Sequence, residues 1–295
     1  MKYSVSILCL FLMQCVFAQS SSTDKTPYNY LGVIKLNDTA FISYKLAFEA
    51  KDGIIQGYSI TDAGGPHETK SNVKGTYNKD EKEFVFIEYD IVYTKSPITE
   101  LDFCLVNFKG KLRTLEKNKP FSGNFRGLYP DGKSCLDGQI IMTPLAQAQK
   151  RAKKADKMIQ KSKRFSKKIK ENVSASTTLD TLSMSVVKTG ENLNVFMKTK
   201  NIIISVYDAG KADDDRINLY IDGELVLENY TIEKNKKEIP ITITKEFTII
   251  KVEALNEGTS APNTVKVEIN DGQRLISTRT SLKSKEHAAL TLVNQ

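Results

Sequence analysis

A strongly basic segment, Gln149–Glu171, separates two stretches of sequence that have the pattern of successive β-strands. From Lys150 to Lys170 it contains eleven Lys and Arg and one acid, Asp156, so its charge is 11 − 1 = +10. The whole chain has a formal charge of +8, which leaves 8 − 10 = −2 for all other residues. The excess positive charge therefore lies in one place, between two nearly neutral halves.

Most spacings between apolar residues along this segment are three or four, which predicts one long amphipathic helix. Thr143 fits the cap and Pro144 the first helical position, and the pattern continues to Val173, about 27 residues or roughly 40 Å. The predicted apolar stripe, beneath a wide cationic face, consists of Ala148, Ala152, Ala155, Ile159, Phe165 and Ile169, with Met158 beside them.

Residues 1–18 have the pattern of a secretory signal peptide. Lys2 supplies a positive start, and Val5 to Phe17 is an apolar run too short to span a bilayer comfortably. We expect cleavage after Ala18, a mature chain that starts at Gln19, and export to the periplasm, to the outer membrane or out of the cell. The alternative is a lipoprotein signal with Cys15 lipidated, but the residue before Cys15 is not small, as that signal requires.

Residues 28–143 have the pattern of about eight or nine strands joined by short turns. Ala40–Ala50 alternates apolar and polar residues, and Lys51-Asp52-Gly53 has the composition of a hairpin turn. Without helical cover, such antiparallel strands must close on themselves or pair face to face, which predicts a β-barrel or a strongly curved sandwich. The stretch resembles lipocalin-like (calycin) barrels, although the chain has no Trp and so lacks their Gly-x-Trp opening.

That resemblance implies a small apolar ligand inside the barrel, so a ligand carrier is one alternative function. Loops at a barrel mouth often carry sites, and the mouth is predicted near the loop 62–68. Glu88 and Asp90 are predicted to share a strand face, where they either form a solvated surface or act as the paired carboxylates of an envelope hydrolase. The candidate mouth residues are Asp62, His67, Glu68, Glu88 and Asp90.

Other catalytic or metal-binding motifs are absent from the sequence. The only histidines are His67 and His287, in different halves, and neither His-Glu-x-x-His nor Gly-x-Ser-x-Gly occurs. We therefore expect no enzymatic activity. Two cysteines in an exported chain predict a disulfide between Cys104 and Cys135, which would close a loop of about 30 residues and contribute on the order of 3 to 4 kcal/mol.

Residues 179–295 also have the pattern of short strands at regular spacing, which predicts a β-sandwich. This half resembles the Ig-like and carbohydrate-binding-module-like accessory domains of exported bacterial proteins. The resemblance implies a protein or glycan partner. An acidic loop suggests calcium as an alternative to a solvated turn, with ligands from Asp208, Asp213, Asp214 and Asp215.

The predicted fold is thus all-β, with two domains (28–143 and 179–295) joined by one long basic helix within 144–173. We predict a non-enzymatic binding or adaptor protein of the cell envelope. The helix is either a solvated spacer or a contact for anionic lipid or lipopolysaccharide. Nucleic acid is not the expected partner, because the chain is predicted to be exported and the run has a single aromatic residue. The predicted contact residues are Lys150, Arg151, Lys153, Lys154, Lys157, Lys161, Lys163, Arg164, Lys167, Lys168 and Lys170.

Overall fold

The computed structural model describes residues 28–97, 103–115, 118–167, 170, 174–176, 179, 185–208 and 213–294. The predicted signal peptide, 1–18, lies outside the described residues. In the described parts of the chain, no helix has both the length and the apolar character needed to cross a membrane.

The first eight strands close into an antiparallel barrel, which confirms the predicted all-β character and the barrel alternative. Around the barrel their order is β5-β4-β3-β2-β1-β8-β7-β6, and β6 pairs back to β5. Gly57 and Gly75 lie in strands that bend, and an added Cβ would come within 2.0 and 2.1 Å of backbone oxygens on the neighbouring strands. The strands are β1 Tyr28–Lys35, β2 Phe41–Lys51, β3 Ile54–Thr61, β4 Thr69–Asn78, β5 Glu83–Thr94, β6 Leu105–Lys111, β7 Phe121–Leu128 and β8 Ser134–Pro144.

Aromatic rings fill one part of the barrel interior. Tyr44, Leu46 and Phe48 alternate inward along β2, as their spacing predicts. The Phe84 ring lies 5.4 Å from that of Phe48 and 5.2 Å from that of Phe121. Each such ring contributes about 1.5 to 3 kcal/mol through burial, so this packed interior is a main source of the barrel's stability.

The remaining strands form two further layers. Strands β10, β12, β13, β15 and β18 extend the barrel sheet, while β14-β11-β16-β17-β9 form a separate five-stranded sheet. Side chains from both layers meet in one hydrophobic cluster. The strands are β9 Val186–Lys188, β10 Asn192–Met197, β11 Asn201–Tyr207, β12 Arg216–Ile221, β13 Glu224–Thr231, β14 Lys237–Thr242, β15 Phe247–Ala254, β16 Lys266–Asn270, β17 Leu275–Ser281 and β18 His287–Asn294.

Strand β5 belongs to the barrel and to the second core. Its first half pairs with β6 and closes the barrel, while Tyr93 and Thr94 near its end pair with β10. Val92 and Tyr93 pack in the hydrophobic cluster between the two C-terminal layers. The basic helix was predicted to be the connection between the halves, whereas the structure also joins them through a continuous sheet.

Helix α1, Leu145–Lys161, ends earlier than predicted. It has 17 residues, about 25 Å, and Ser162 beyond it has extended backbone. The prediction of a continuous helix to Val173 is therefore wrong. Local periodicity does not reveal this break, because the hydrogen bonds that reverse the chain join residues up to 20 positions apart in sequence.

The predicted disulfide between Cys104 and Cys135 is confirmed. It links the residue before β6 to the start of β8, across β7. A Cβ at Gly127 of β7 would meet the Sγ of Cys104 at 2.4 Å, so only glycine fits beneath this bond. The disulfide thus ties together three neighbouring strands of the barrel wall.

Candidate functional site

Helix α1 begins where β8 ends and presents one side to the barrel. It contacts β1 and β8, and Ala152 is its buried residue. Ala148 and Ile159, on the same side by helical spacing, are half-buried. The predicted narrow apolar stripe is therefore the less exposed side of α1, and the helix contacts the barrel through β1 and β8.

The opposite side of α1 is cationic and exposed. With 3.6 residues per turn, Lys150, Lys153, Lys154, Lys157 and Lys161 fall within an arc of about 100°. No carboxylate of the described residues forms an ion pair with these five side chains. The cationic face is thus continuous along α1, and no carboxylate of the described residues pairs with its five lysines.

The cationic surface continues past the helix end. Nine of the predicted contact residues are exposed, Lys170 is half-buried, and Lys168 lies outside the described residues. The nine exposed residues are Lys150, Arg151, Lys153, Lys154, Lys157, Lys161, Lys163, Arg164 and Lys167. The structure therefore leaves most of the predicted set accessible to solvent.

Asp156, the single acid of the run, holds the returning chain against α1. Its carboxylate accepts hydrogen bonds from the Ala175 N–H at 2.6 Å and the Ser176 N–H at 3.1 Å, and also from the Ser176 hydroxyl. The Ser176 and Ala175 bonds lower the pKa of Asp156. Gln160 donates to the Lys170 carbonyl at 2.8 Å. The chain therefore reverses between Lys161 and Lys170, and we call α1 with the described residues of 162–176 the basic arm.

The exposure of one side chain in the turn of the basic arm, that of Phe165, differs from the prediction. Phe165 was assigned to the buried apolar stripe, but its side chain is 43% exposed. The stripe does not continue there because α1 ends at Lys161, so the helical phase is lost. Sequence periodicity assigned Phe165 to the stripe and so could not reveal it as a surface residue. Its polar neighbours, Arg164 and Ser166, were an indication of exposure.

The loop 62–68 is held by its own hydrogen bonds. Asp62 accepts from the His67 N–H at 2.9 Å, and Glu68 accepts from the Gly64 N–H at 2.6 Å and from the Tyr93 hydroxyl at 3.0 Å. Glu68 is buried, and His67 lies 3.2 Å from the Ser96 hydroxyl. These bonds occupy the polar groups that were predicted to meet a ligand at the barrel mouth.

Glu88 and Asp90 have different surroundings, contrary to the prediction that they share a strand face. The β4–β5 register shifts between them, because Val73 pairs with Glu88 and Asn72 with Asp90, so Tyr89 is an extra residue. Glu88 is buried in the barrel. Asp90 instead accepts hydrogen bonds from Asn72 and Lys198, at 2.8 and 2.9 Å. The bulge leaves the pair without a common partner, so the hydrolase alternative gains no support.

The carrier alternative also gains no support from the barrel interior. Rings from four different strands, Tyr30, Phe48, Phe84 and Phe121, lie within 5.0 to 6.0 Å of their neighbours. At these separations the side chains pack against each other. A ligand would have to displace them.

The acidic loop contributes Asp208, Asp213, Asp214 and Asp215 to the described residues, while 209–212 lie outside them. Burial, followed by the repulsion of Asp213, Asp208 and Glu257, raises the pKa of Asp215 to about 6. Over the described ranges, no group of three or more His, Cys, Asp or Glu is arranged to hold a metal ion. Calcium binding stays a prediction without structural support.

A second group of cations lies on the barrel wall, and the sequence analysis gave it no role. The Lys70 ammonium lies 4.2 Å from the Tyr58 ring centroid. Burial, followed by the nearby charges of Lys45 and Arg274, lowers the pKa of Lys70 to about 8. These residues come from strands and turns far apart in sequence, so no local pattern could have indicated the cluster.

No protein-family model, no curated protein and no solved structure matches this chain. The eight-stranded antiparallel barrel agrees with the predicted resemblance to lipocalin-like barrels at the level of architecture. Function is therefore inferred from the chain's own residues, and the basic arm is the candidate site.

Proposed function

We propose that this chain is an exported, non-enzymatic binding protein of the cell envelope, and that its basic arm contacts an anionic lipid surface. The single observation that carries the proposal is the continuous, exposed cationic face of α1, with whose lysines no described carboxylate forms an ion pair. In this proposal the barrel and the C-terminal sandwich form a frame that presents the arm.

Charge favours a lipid surface as the partner. Each Lys or Arg near an anionic membrane contributes about 1 kcal/mol, so a face with five lysines gains appreciable affinity without a shaped pocket. Export, if the signal peptide acts as predicted, brings the arm to a compartment bounded by membranes that carry phospholipid or lipopolysaccharide. The periplasm, the outer membrane and the exterior all satisfy this condition.

Vesicle sedimentation tests the proposal. The protein should bind vesicles of phosphatidylcholine mixed with phosphatidylglycerol, bind pure phosphatidylcholine weakly, and lose binding as salt rises, because salt screens exposed charges. The variant Lys150→Gln/Lys153→Gln/Lys154→Gln/Lys157→Gln should bind anionic vesicles on the order of a thousandfold more weakly.

A matched control removes the same charge elsewhere. The variant Lys51→Gln/Lys119→Gln/Lys234→Gln/Lys237→Gln changes four exposed lysines outside the arm and should retain most of the binding. Equal binding to neutral vesicles, or an equal loss in both quadruple variants, would contradict the proposed contact.

A further inference from the structure

The distal end of the basic arm carries two exposed apolar side chains. Met158, in the last turn of α1, is 65% exposed, and Phe165, in the turn that follows, is 43% exposed. Earlier in α1, Ala148 is half-buried and Ala152 is buried. The exposed large apolar side chains of the arm are therefore Met158 and Phe165, in and just beyond the last turn of α1.

Cations surround these two side chains. Lys161, Lys163 and Arg164 are exposed and lie between Met158 and Phe165 in sequence. Long basic side chains can keep their charged ends at lipid phosphates while their stems and neighbouring apolar groups enter the interface. An aromatic residue among several cations suits the boundary between headgroups and acyl chains better than it suits water.

Hydrogen bonds hold this end in a defined shape. Asp156 binds the backbone of Ala175 and Ser176, and Gln160 binds the carbonyl of Lys170. The two limbs of the arm are therefore fastened to each other just before the turn. Phe165 is thus presented in the turn just beyond the C-terminal end of α1, between the two limbs.

We propose that the turn of the basic arm inserts into the surface of an anionic phospholipid bilayer, with Phe165 and Met158 as apolar anchors. Lys161, Lys163 and Arg164 pair with lipid phosphates around them. This inference rests on the proposed function and deepens it. The lysines along α1 attract the protein to the surface, and the turn gives a part of the binding that salt does not abolish.

A tryptophan reporter tests insertion directly, because the chain has no Trp of its own. Phe165→Trp should show a blue-shifted emission with vesicles that contain phosphatidylglycerol, and lipids brominated on the acyl chains should quench it. Phe247→Trp is the control, since Phe247 is an aromatic of β15 with 49% exposure outside the arm. Its emission should stay unchanged.

Truncation gives a second measurement. Phe165→Ala should partition into anionic vesicles roughly tenfold more weakly at high salt, because the anchor loses most of its apolar area. Phe247→Ala should bind as the unchanged protein does. Both variants alter a side chain that is about half exposed, so the fold is expected to tolerate them.

The outcomes separate the two proposals. Sedimentation with anionic vesicles, but neither a shift nor quenching for Phe165→Trp, overturns insertion and leaves the electrostatic contact in place. Equal shifts for Phe165→Trp and Phe247→Trp also overturn the assignment to the turn. No binding to anionic vesicles by the unchanged protein, as obtained from a host that secretes it, overturns both.

Discussion

Tyr44 donates a hydrogen bond of 2.8 Å to the carboxylate of Glu88 inside the barrel. Ser59 donates to the same oxygen at 2.5 Å, and the Val106 N–H donates to the other at 2.8 Å. The carboxylate is fully buried among these donors. Burial raises the pKa of Glu88, and the bonds from Ser59, Val106 and Tyr44 offset only part of that effect. Glu88 is thus a buried, hydrogen-bonded polar residue in a largely apolar interior.

Replacement of Glu88 by Gln should change how stability depends on pH. The pKa of Glu88 is higher in the folded than in the unfolded chain, so its contribution is full below the unfolded pKa and is lost as pH rises through the folded pKa. Gln has no charge to bury, and its amide can face the Tyr44 and Ser59 hydroxyls while its oxygen faces Val106. The free energy of unfolding of Glu88→Gln, relative to that of the unchanged protein, should therefore increase from pH 4 to pH 8.

Urea unfolding across this pH range measures the effect. Glu88→Ala should lose about 2 to 4 kcal/mol, because it leaves a cavity and an unpaired backbone N–H. Glu238→Gln, at an exposed position on β14, is the matched control and should follow the unchanged protein. A Glu88→Gln curve parallel to that of the unchanged protein would contradict the assigned role of burial.

Lys95 should contribute to the attachment of the barrel to the second core. Its side chain is 3% exposed, and its ammonium contacts the Glu191 carboxylate at 2.9 Å and the Val186 carbonyl at 2.5 Å. Lys95→Ala leaves both acceptors without this donor, and we expect a loss of about 1 to 3 kcal/mol in the free energy of unfolding. Lys198→Ala, which breaks a more exposed pair with Asp90, should cost less. Equal losses of unfolding free energy in Lys95→Ala and Lys198→Ala, measured with urea, would show that the burial of Lys95 adds nothing to stability.

Glu268 should make the chain sensitive to acid. Its carboxylate accepts from Tyr207 at 2.7 Å and pairs with Lys236 at 2.6 Å and Lys266 at 3.0 Å. Burial alone would raise the pKa of Glu268, but these three partners lower it to about 2. A depressed pKa gives stability that is present above the unfolded value, about 4.3, and is lost as pH falls through the folded value.

Urea midpoints at pH 5, 4 and 3 test this expectation. The unchanged protein should lose stability progressively through the series, and Glu268→Gln should lose less because its side chain does not titrate. The comparison is made between slopes, since Glu268→Gln also weakens two ion pairs at every pH. Identical slopes would refute the link between this cluster and acid sensitivity.

Removal of the Cys104–Cys135 disulfide should destabilise the barrel. The cysteines are 31 residues apart, and closure of a loop of this length contributes on the order of 3 to 4 kcal/mol in the chain-entropy model. Cys104→Ser/Cys135→Ser should therefore unfold at lower urea concentration. The unchanged protein in reducing agent should show a similar shift. A double variant that equals the oxidised protein would contradict the contribution.

Much of the local structure followed from short stretches of sequence. The alternation in β2 and the turn at Asp52-Gly53 were both predicted, because side-chain period and turn chemistry act over a few residues. The charge of the arm and the cysteine pairing were also evident. The prediction that the helix continues beyond Lys161 was wrong, because hydrogen bonds from distant residues such as Ala175 outweigh local periodicity there.

The sequence by itself determined the β-rich character of the chain, the place of its positive charge and its disulfide. Only the tertiary structure decided that β5 closes a barrel and then continues into a second core, that a bulge at Tyr89 separates Glu88 from Asp90, and that Asp156 folds the basic arm so that Phe165 is exposed. The physical reason is that pattern and composition fix which side of a strand or helix is apolar. Contacts with residues far apart in sequence fix which neighbour a strand pairs with and where a helix ends.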